Sequence, residues 1–333
     1  MLFRPQAKLY ELYSPPQIDD IITNIASRRE IPRAYSYFAA GAAGWDEHIQ
    51  QVDQEGTPSS LTMTRTLLAR NEACLDDLAA PYERVNVVDI GVGNALPIKG
   101  VIAHLLAHGK LGRYIAIDIS PDMLRIAERN IQTWFGENLA FEGYQLDMTR
   151  DRFADLLMNE HGEEARATRN LLFLLGGTLQ NFRDRDAPLH VIHDSMGPHD
   201  VLIHTQKLDS ETTRHQFDVG IEPGGRGIPS TRRTLVDLLN IAPSLYEFEA
   251  GYDAQRHERY GRLRFKTSVT IVFDVQGDTR HVSIDKGETL LFWRASHDTA
   301  MDVMNLFNRN DFSLLQMSQT DDQEYILTVS KVR

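Results

Sequence analysis

The sequence predicts an α/β fold, in which a mostly parallel sheet covered by helices is interrupted by a smaller, inserted α+β segment. Residues 85–124 read in order as a buried strand, a glycine turn, a helix and a second strand. Short runs of β-branched apolar residues, such as Val85 to Ile90, are typical of parallel strands covered on both faces. Residues 261–273 instead alternate apolar and polar side chains, as a half-exposed strand does.

Composition limits the classes of function. The chain has 333 residues, of which 42% are hydrophobic and 25% charged, as in ordinary globular proteins. A formal net charge of −12 disfavours binding along a nucleic-acid backbone. Cys74 is the only cysteine, and no apolar run reaches the length of a membrane span. We therefore expect a cytoplasmic protein with no nucleic-acid or membrane partner.

Helices before the glycine turn are predicted from apolar spacing. One helix is expected at 17–27, and a second, amphipathic one at 65–80 leads into the first strand. The intervening segment 31–66 is rich in aromatic and small residues. It is predicted to be either a packed arm or a lid that excludes water from a reacting group, and its aromatic side chains are Tyr35, Tyr37, Phe38 and Trp45.

Beyond the turn, helices and strands alternate. Ser120 and Pro121 occupy the preferred N-cap and first positions of a helix at 121–135. The other predicted helices lie at 98–108, 190–196 and 297–308. The predicted strands lie at 114–117, 171–175, 200–205, 312–316 and 325–332, and residues 145–148 are expected to be the end of the third strand.

The insertion has a different pattern. It contains a Gly- and Pro-rich run at 222–233, which is followed by a segment with apolar residues at helical spacing. Strands are predicted at 281–284 and 289–293, and they are expected to pair across a turn at 285–287. The chain thus divides into an N-terminal arm (1–62), a core (63–210), an insertion (211–294) and a C-terminal part of the core (295–333).

The glycine turn predicts a nucleoside-cofactor site. Gly91 and Gly93 allow a sharp turn and the close approach of a ligand. Asp118 ends the next strand, where a carboxylate can accept both hydroxyls of a ribose. A dinucleotide site would need a third glycine where Leu96 stands, so a pyrophosphate cradle is disfavoured.

The run Asp89-Ile90-Gly91-Val92-Gly93, the acidic strand tip and Ser120-Pro121-Asp122-Met123-Leu124 resemble the site of class I methyltransferases. The resemblance implies a Rossmann-like sheet and S-adenosyl-L-methionine as cofactor. It also implies that Asp147 bonds the adenine amino group and that Met148 covers the ring, although Asp147 can equally be a helix N-cap. The implied cofactor-binding residues are Asp89, Gly91, Gly93, Asp118, Ile119, Asp147, Met148 and Gly176.

A second informative stretch, NLLFLLGGTLQN, begins at Asn170. Its apolar part predicts a buried fourth strand, and the loop after that strand faces the ligand crevice of a doubly wound sheet. Thr178 and Asn181 are the candidate catalytic residues on this loop, and Asn181 offers a donor and an acceptor to a substrate. A turn or N-cap role is the alternative for Asn181.

The runs VVDIGVGNA, YIAIDIS and FLLGGTLQN are similar to the histidine-specific methyltransferases of the ergothioneine pathway, a family that includes fungal dimethylallyltryptophan N-methyltransferases. The aromatic arm and the Thr64–Thr66 tripeptide also resemble segments of that family, so the likeness extends from about residue 35 to the C-terminus. It implies a substrate or lid domain, made of the N-terminal arm and the insertion, beside a Rossmann-like core.

Two positions depart from that family's pattern. A glutamate and a serine hold the imidazole in the histidine enzymes, and an ungapped alignment places Trp293 and Ala295 there. An alanine methyl cannot bond an imidazole nitrogen, and a buried polar group without a partner costs about 1–3 kcal/mol. Histidine is therefore expected to be a poor substrate. A shift of one or two residues would instead bring Ser296 or His297 to these positions.

The predicted function is methyl transfer to a small molecule, most simply to the nitrogen of an amino-acid-derived amine other than histidine. Positioning and water exclusion supply most of the acceleration of such a displacement. O-methylation of an aromatic natural product is the alternative and needs a general base, for which His193, His204, His257 and His297 are candidates. A non-catalytic cofactor-binding partner or sensor is a third interpretation. No metal site is expected, and the candidate substrate-binding residues are Trp45, Asn181, Tyr246, Tyr252 and Trp293.

Overall fold

A computed structural model describes residues 1–56, 58–158, 168–212, 214, 228 and 230–333. Contacts within the chain divide it into two compact units. The first unit comprises Met1–His48 with Glu211–Ser296, and the second comprises Ile49–Ser210 with His297–Arg333. Most of the Gly- and Pro-rich run 222–233 lies outside the described residues.

The elements are numbered along the chain. The strands are β1 Leu2–Phe3, β2 Arg84–Ile90, β3 Leu111–Asp118, β4 Glu142–Gln145, β5 Thr168–Leu174, β6 Val201–Lys207, β7 Tyr246–Asp253, β8 Glu258–Phe265, β9 Val269–Val275, β10 Asp278–Ile284, β11 Thr289–Ser296, β12 Phe312–Gln319 and β13 Tyr325–Val332. The α-helices are α1 Ala7–Leu12, α2 Pro15–Arg28, α3 Ala40–Glu55, α4 Ser60–Arg70, α5 Glu72–Ala79, α6 Lys99–Ala107, α7 Pro121–Phe135, α8 Ala154–Leu157, α9 Asp186–Ser195, α10 Ser230–Leu238 and α11 Ala300–Arg309.

The second unit is built on a seven-stranded sheet in the order β12-β13-β6-β5-β2-β3-β4. The strands β2 to β6 run parallel, whereas β13 is antiparallel to both β6 and β12. The strand order reverses at β2, which lies between β3 and β5, and ligands of open α/β sheets bind at such a reversal. The predicted Rossmann-like sheet and its closing hairpin are confirmed.

Apolar side chains cover both faces of this sheet. Val85 and Val87 of β2 pack in one cluster with side chains of α6. Val88 and Ile90 point the other way and pack in a second cluster with side chains of α11. None of the four side chains has exposed surface. Full burial of one such side chain contributes about 1.5–3 kcal/mol, so β2 is fixed firmly at the centre of the sheet.

The predicted single helix at 65–80 is wrong, because the chain forms α4 and α5 with a break at Asn71. The buried Asn71 amide donates to the Leu67 carbonyl at 2.8 Å. Its oxygen accepts from Gln316 Nε2 at 2.6 Å and from Ser318 Oγ at 2.7 Å, both on β12. Hydrogen bonds to a strand far along the chain therefore fix the break between the two helices. The spacing of apolar residues contains no information about such distant hydrogen bonds.

The first unit contains two three-stranded sheets, β1-β9-β10 and β11-β8-β7. The single strand predicted at 261–273 is wrong, since β8 and β9 belong to different sheets. The predicted pairing of 281–284 with 289–293 is also wrong, because β10 pairs with β9 and β11 with β8. Hydrogen bonds fix the turn at 285–287, where the chain passes from β10 in one sheet to β11 in the other. Gly287 N–H donates to the Phe265 carbonyl at 2.8 Å, and Lys286 N–H donates to Ser268 Oγ at 3.0 Å.

Part of the aromatic arm belongs to the core of the first unit. Tyr35 and Phe38 are buried and pack against Tyr13, with ring centroids 5.5 Å and 5.1 Å from that of Tyr13. The Tyr13 hydroxyl donates to the Tyr35 carbonyl at 2.7 Å. These two residues therefore follow the packed-arm interpretation, whereas Tyr37 and Trp45 are only half-buried.

Candidate functional site

The glycine turn after β2 lies against β3. The N–H groups of Gly91 and Val92 donate to the Ile117 carbonyl at 2.8 Å and 3.2 Å. Gly91 and Gly93 have φ angles of +70° and +54°, which L side chains rarely adopt. The two glycines are thus required by the backbone and leave the inner side of the turn without side chains.

Three loops of the second unit meet at Gly91. A Cβ added there would lie 3.0 Å from Thr178 Cγ2, on the loop after β5, and 3.2 Å from Met148 Cε, on the loop after β4. The structure therefore brings three sequence-predicted residues together at the carboxyl ends of β2, β4 and β5. Met148 is itself buried, with 7% of its surface exposed.

Asp118 closes the site at the tip of β3. Its Oδ2 accepts from Gly93 N–H at 3.3 Å, and its Oδ1 accepts from Ser120 N–H at 2.9 Å. Burial raises the pKa of this carboxyl to about 6, although these backbone hydrogen bonds oppose the rise. The group is therefore mostly a carboxylate at pH 7, and a carboxylate has more acceptor positions than these backbone bonds use, so it can also accept from a ligand hydroxyl.

Asp89 is a second buried carboxyl group, at the end of β2. Tyr114 donates its hydroxyl hydrogen to Asp89 Oδ2 at 3.1 Å. Burial raises the pKa of Asp89 to about 8; the Tyr114 hydrogen bond opposes the rise, and the charge of Asp118 adds to it. A cationic ligand stabilises the ionised form of such a group, so Asp89 suits a ligand that carries positive charge.

Asp147 follows β4 and closes a turn. Its Oδ1 accepts from Thr149 N–H at 2.9 Å and from Thr149 Oγ1 at 2.7 Å, and Arg150 Nε lies 3.8 Å from its Oδ2. The next helix, α8, is capped by Phe153, so Asp147 is not the N-cap of that helix. A role for Asp147 towards adenine stays a prediction.

The loop after β5 is held by the end of β6. Gly176 N–H donates to Thr205 Oγ1 at 3.1 Å, and Gly177 N–H donates to the Thr205 carbonyl at 3.2 Å. A 3-10 helix, Thr178–Asn181, follows directly. The Asn181 side chain is half-buried, and among the described residues its amide makes one long contact, of 3.5 Å from Nδ2 to the Gly177 carbonyl. This weak contact leaves most of the hydrogen-bonding capacity of the amide for a substrate.

Sequence reasoning missed two residues that position this site, Tyr114 and Thr205. Tyr114 lies in an apolar strand and resembles a core residue, and its register beside Val87 is visible only in the structure. Thr205 is almost fully buried within β6. A hydroxyl group at a position predicted to be buried in a parallel strand is the signal that could have indicated either residue.

The proposed acceptor-binding aromatic residues lie in the first unit, but not all together. Trp45 packs edge-on against Tyr37 with ring centroids 6.2 Å apart, and Arg33 lies 5.4 Å from the Tyr37 ring and 5.9 Å from the Trp293 ring. Trp45 and Trp293 therefore belong to one cluster. Tyr252 is opposite Arg259 in the β7–β8 pair, and Arg259 lies 5.2 Å from the Trp293 ring.

Tyr246 is separate from that cluster. It is opposite Phe265 on β8, whereas Trp293 is opposite Gly261, four residues away along the same strand. At about 3.3 Å per residue, the positions opposite Tyr246 and Trp293 lie roughly 13 Å apart along β8. The Tyr246 ring packs against Phe265 as part of the core.

Two of the four histidine candidates for a general base, His204 and His297, are poorly suited to that role. His204 has no exposed surface and packs against Phe307 with centroids 5.2 Å apart. Burial, and then the charge of Arg185, lowers its pKa to about 3, so it stays neutral and is a weak base. His297 is also fully buried. Among the described residues, no group of three or more His, Cys, Asp or Glu side chains is placed to hold a metal ion.

A seven-stranded sheet of this order, with a glycine turn after β2 and an acidic residue at the tip of β3, defines a class I S-adenosylmethionine-dependent methyltransferase. The chain belongs to the family described as histidine-specific methyltransferase, SAM-dependent, whose sequence profile matches residues 18–215. It is therefore an enzyme that uses S-adenosyl-L-methionine. No curated protein matches the chain in sequence at a significant level.

Solved structures with a similar fold have low sequence identity to this chain. An S-adenosylmethionine-dependent methyltransferase from Clostridium acetobutylicum is 11% identical over 87% of this chain and 98% of that chain, with a TM-score of 0.43. One from Anabaena variabilis is 14% identical over 88% and 95%, with a TM-score of 0.42. Magnesium protoporphyrin IX methyltransferase from Synechocystis is 10% identical over 81% and 83%, with a TM-score of 0.40.

The residues of the second unit fit this cofactor. The glycine turn at Gly91 lies against Thr178 and Met148, Asp118 offers two acceptor oxygens for a ribose, and the raised pKa of Asp89 suits a cationic ligand. No helix in the described part of the chain has the length and apolar character needed to cross a membrane.

Proposed function

We propose that the protein methylates the nitrogen of a small amino acid or amino-acid-derived amine other than histidine. The carrying observation is the environment of Trp293 and Ala295. Trp293 is surrounded by guanidinium groups, and Ala295 is buried with 6% of its surface exposed. Neither position supplies a carboxylate or hydroxyl to an imidazole, and the positive charge nearby disfavours an imidazolium.

The first unit is proposed to be the substrate domain and the second to bind the cofactor. This division rests on the distribution of residue types. Glycine turns and buried carboxyl groups are found on the central strands of the second unit, while the Trp, Tyr and Arg cluster is found in the first.

S-adenosylmethionine supplies a methyl group on a sulfonium, whose loss leaves a neutral thioether. The chain has little proton chemistry to perform, because an amine nucleophile can lose its proton to solvent. In this proposal, Asp118 and the Gly91 turn fix the cofactor, and Met148 covers it. Asn181 orients the acceptor amine through its amide oxygen, which accepts a hydrogen bond. Orientation of this kind accounts for a large part of the barrier reduction in such reactions.

The test is a methyl-transfer screen that follows adenosylhomocysteine release. The panel contains histidine, other amino acids, their decarboxylated and prenylated derivatives, and phenolic metabolites. We expect turnover of an amine other than histidine, and loss of that turnover in Asn181→Ala with cofactor binding retained. Robust turnover of histidine would refute the assignment of Trp293 and Ala295, and turnover of phenols alone would refute N-methylation.

A further inference from the structure

Three arginines surround one aromatic ring in the first unit. The guanidinium carbon of Arg232, on α10, lies 3.9 Å from the Trp293 centroid. Those of Arg259, on β8, and Arg33, in the 3-10 helix Arg33–Tyr37, lie 5.2 Å and 5.9 Å from it. Trp293 itself is buried, with 8% of its surface exposed. We call these four residues the arginine cluster.

The cluster concentrates like charge in a partly dry environment. Burial lowers the pKa of Arg232 to about 9, and the charges of Arg33 and Arg259 add to the shift. The Arg232 guanidinium nevertheless remains protonated near pH 7. Stacking on the indole offsets part of the cost, but a tryptophan ring has only two faces for cations.

Other arginines of the first unit are neutralised by carboxylates. Arg294 contacts both Glu30 and Glu258 at 2.7 Å, and Arg262 contacts Glu249 at the same distance. Among the described residues, neither Arg33 nor Arg232 forms an ion pair. Arg33 donates from Nε to the Tyr37 hydroxyl at 2.9 Å, and its buried Nη1 has no hydrogen-bond partner in the described part of the chain. A buried donor of this kind points to a ligand.

We propose that the arginine cluster binds an oxyanion carried by the side chain of the methyl acceptor. The guanidinium fork matches the two-oxygen edge of a carboxylate, phosphate or sulfonate, and it binds such groups in bidentate fashion. A cationic side chain is repelled by the cluster, and a neutral one leaves Arg33 and Arg232 without an anionic partner among the described residues. This inference rests on the proposed function and deepens it, because it makes the acceptor an amine with a distal anionic group.

Binding is tested first without any turnover. The whole protein is titrated with inorganic phosphate and with glutarate at constant ionic strength, using calorimetry, and with glutaramide as the neutral analogue. We expect both anions to bind, glutaramide not to bind, and Arg232→Gln to weaken anion binding at least tenfold. Arg232→Lys keeps the charge but loses the fork, and an intermediate effect is expected. Arg262→Gln, on the same sheet, is the matched control and should bind anions as the wild type does.

If Arg232→Gln does not fold, as shown by its thermal transition, Arg33→Gln and Trp293→Phe replace it in the same titrations. Wild-type anion affinity in all folded variants, or equal binding of glutarate and glutaramide, would overturn the inference. These readouts do not depend on methyl transfer. A protein that binds the anions but methylates no amine therefore contradicts the proposed function and leaves the oxyanion site supported.

The origin of the oxyanion is tested by turnover. Amines ending in a carboxylate, a phosphate or a sulfonate are compared with their neutral amides. We expect kcat/KM to favour one anionic series at least tenfold, with the preference lost in Arg232→Gln. Inorganic phosphate should then inhibit competitively with the amine. Inhibition that is not competitive would overturn the assignment of the oxyanion to the acceptor, because it would identify a separate free anion.

Discussion

Replacement of Gly91 by alanine tests the close approach of three loops at the glycine turn. The backbone there has φ of +70°, and an L residue in this region costs about 1–2 kcal/mol. The added methyl carbon would also lie 3.0 Å from Thr178 Cγ2 and 3.2 Å from Met148 Cε. Both distances are shorter than the roughly 3.5–4.0 Å of an optimal contact between carbon atoms. Both neighbours are side-chain ends that can move, so the fold should survive.

Gly109→Ala is the matched control. Gly109 has φ of +62°, and nothing lies within 4 Å of a Cβ added there. The two variants should therefore share the backbone cost, and each should lower the free energy of unfolding by about 1–2 kcal/mol. The Gly91 variant alone presses a methyl group against Thr178 and Met148, on two loops of the predicted cofactor site. We expect its affinity for S-adenosylmethionine to fall at least tenfold, or by about 1.4 kcal/mol.

Urea unfolding measures the stability of both variants, and calorimetric titration measures cofactor binding. The diagnostic quantity is the ratio of the two dissociation constants for S-adenosylmethionine. Both variants place an L residue at a positive φ, and they differ in what the added methyl group contacts. If Gly91→Ala and Gly109→Ala both fold and have equal dissociation constants, Gly91 has no role in cofactor binding.

Three further predictions concern charge and positioning. Cofactor affinity should rise roughly tenfold between pH 6 and pH 7 and level off above pH 8, because the raised pKa of Asp89, about 8, leaves this carboxyl protonated at lower pH; an affinity that does not change with pH would exclude Asp89 from cofactor binding. In the same titrations, Asp118→Ala should strongly weaken cofactor binding, and wild-type affinity would remove the ribose assignment. Arg294→Ala should cost about 3–5 kcal/mol in unfolding free energy, because it removes the cation that pairs with the buried Glu258 carboxylate and with the half-buried Glu30 carboxylate. The control Arg70→Ala breaks an exposed pair and should cost at most about 1 kcal/mol; similar losses would contradict the argument.

Features set by neighbouring residues could be predicted from the sequence. The central strand β2, the turn at Gly91 and Gly93, and the start of α7 all follow local signals. Ser120 accepts from Met123 N–H at 3.2 Å, which is the N-cap bond that its residue type favours. Local chemistry and tertiary structure agree at these places.

Pairing between distant segments could not be predicted. Alternation of apolar residues is the same whether residues 261–273 form one strand or two, and it does not identify a partner. The break at Asn71 depends on β12, more than two hundred positions later. The arginine cluster joins residues 33, 232, 259 and 293, and nothing in any one segment shows that the four lie together.

The placement of β13 has a consequence for synthesis on the ribosome. β6 pairs on one side with β5, but its other side pairs with β13, more than a hundred positions later in the chain. The intervening insertion must therefore be translated before that pairing can form. Until then, a buried apolar strand has an open edge, which is a template for association with other chains. Nascent chains of this enzyme should thus depend on chaperones most strongly in the interval between the translation of β6 and that of β13.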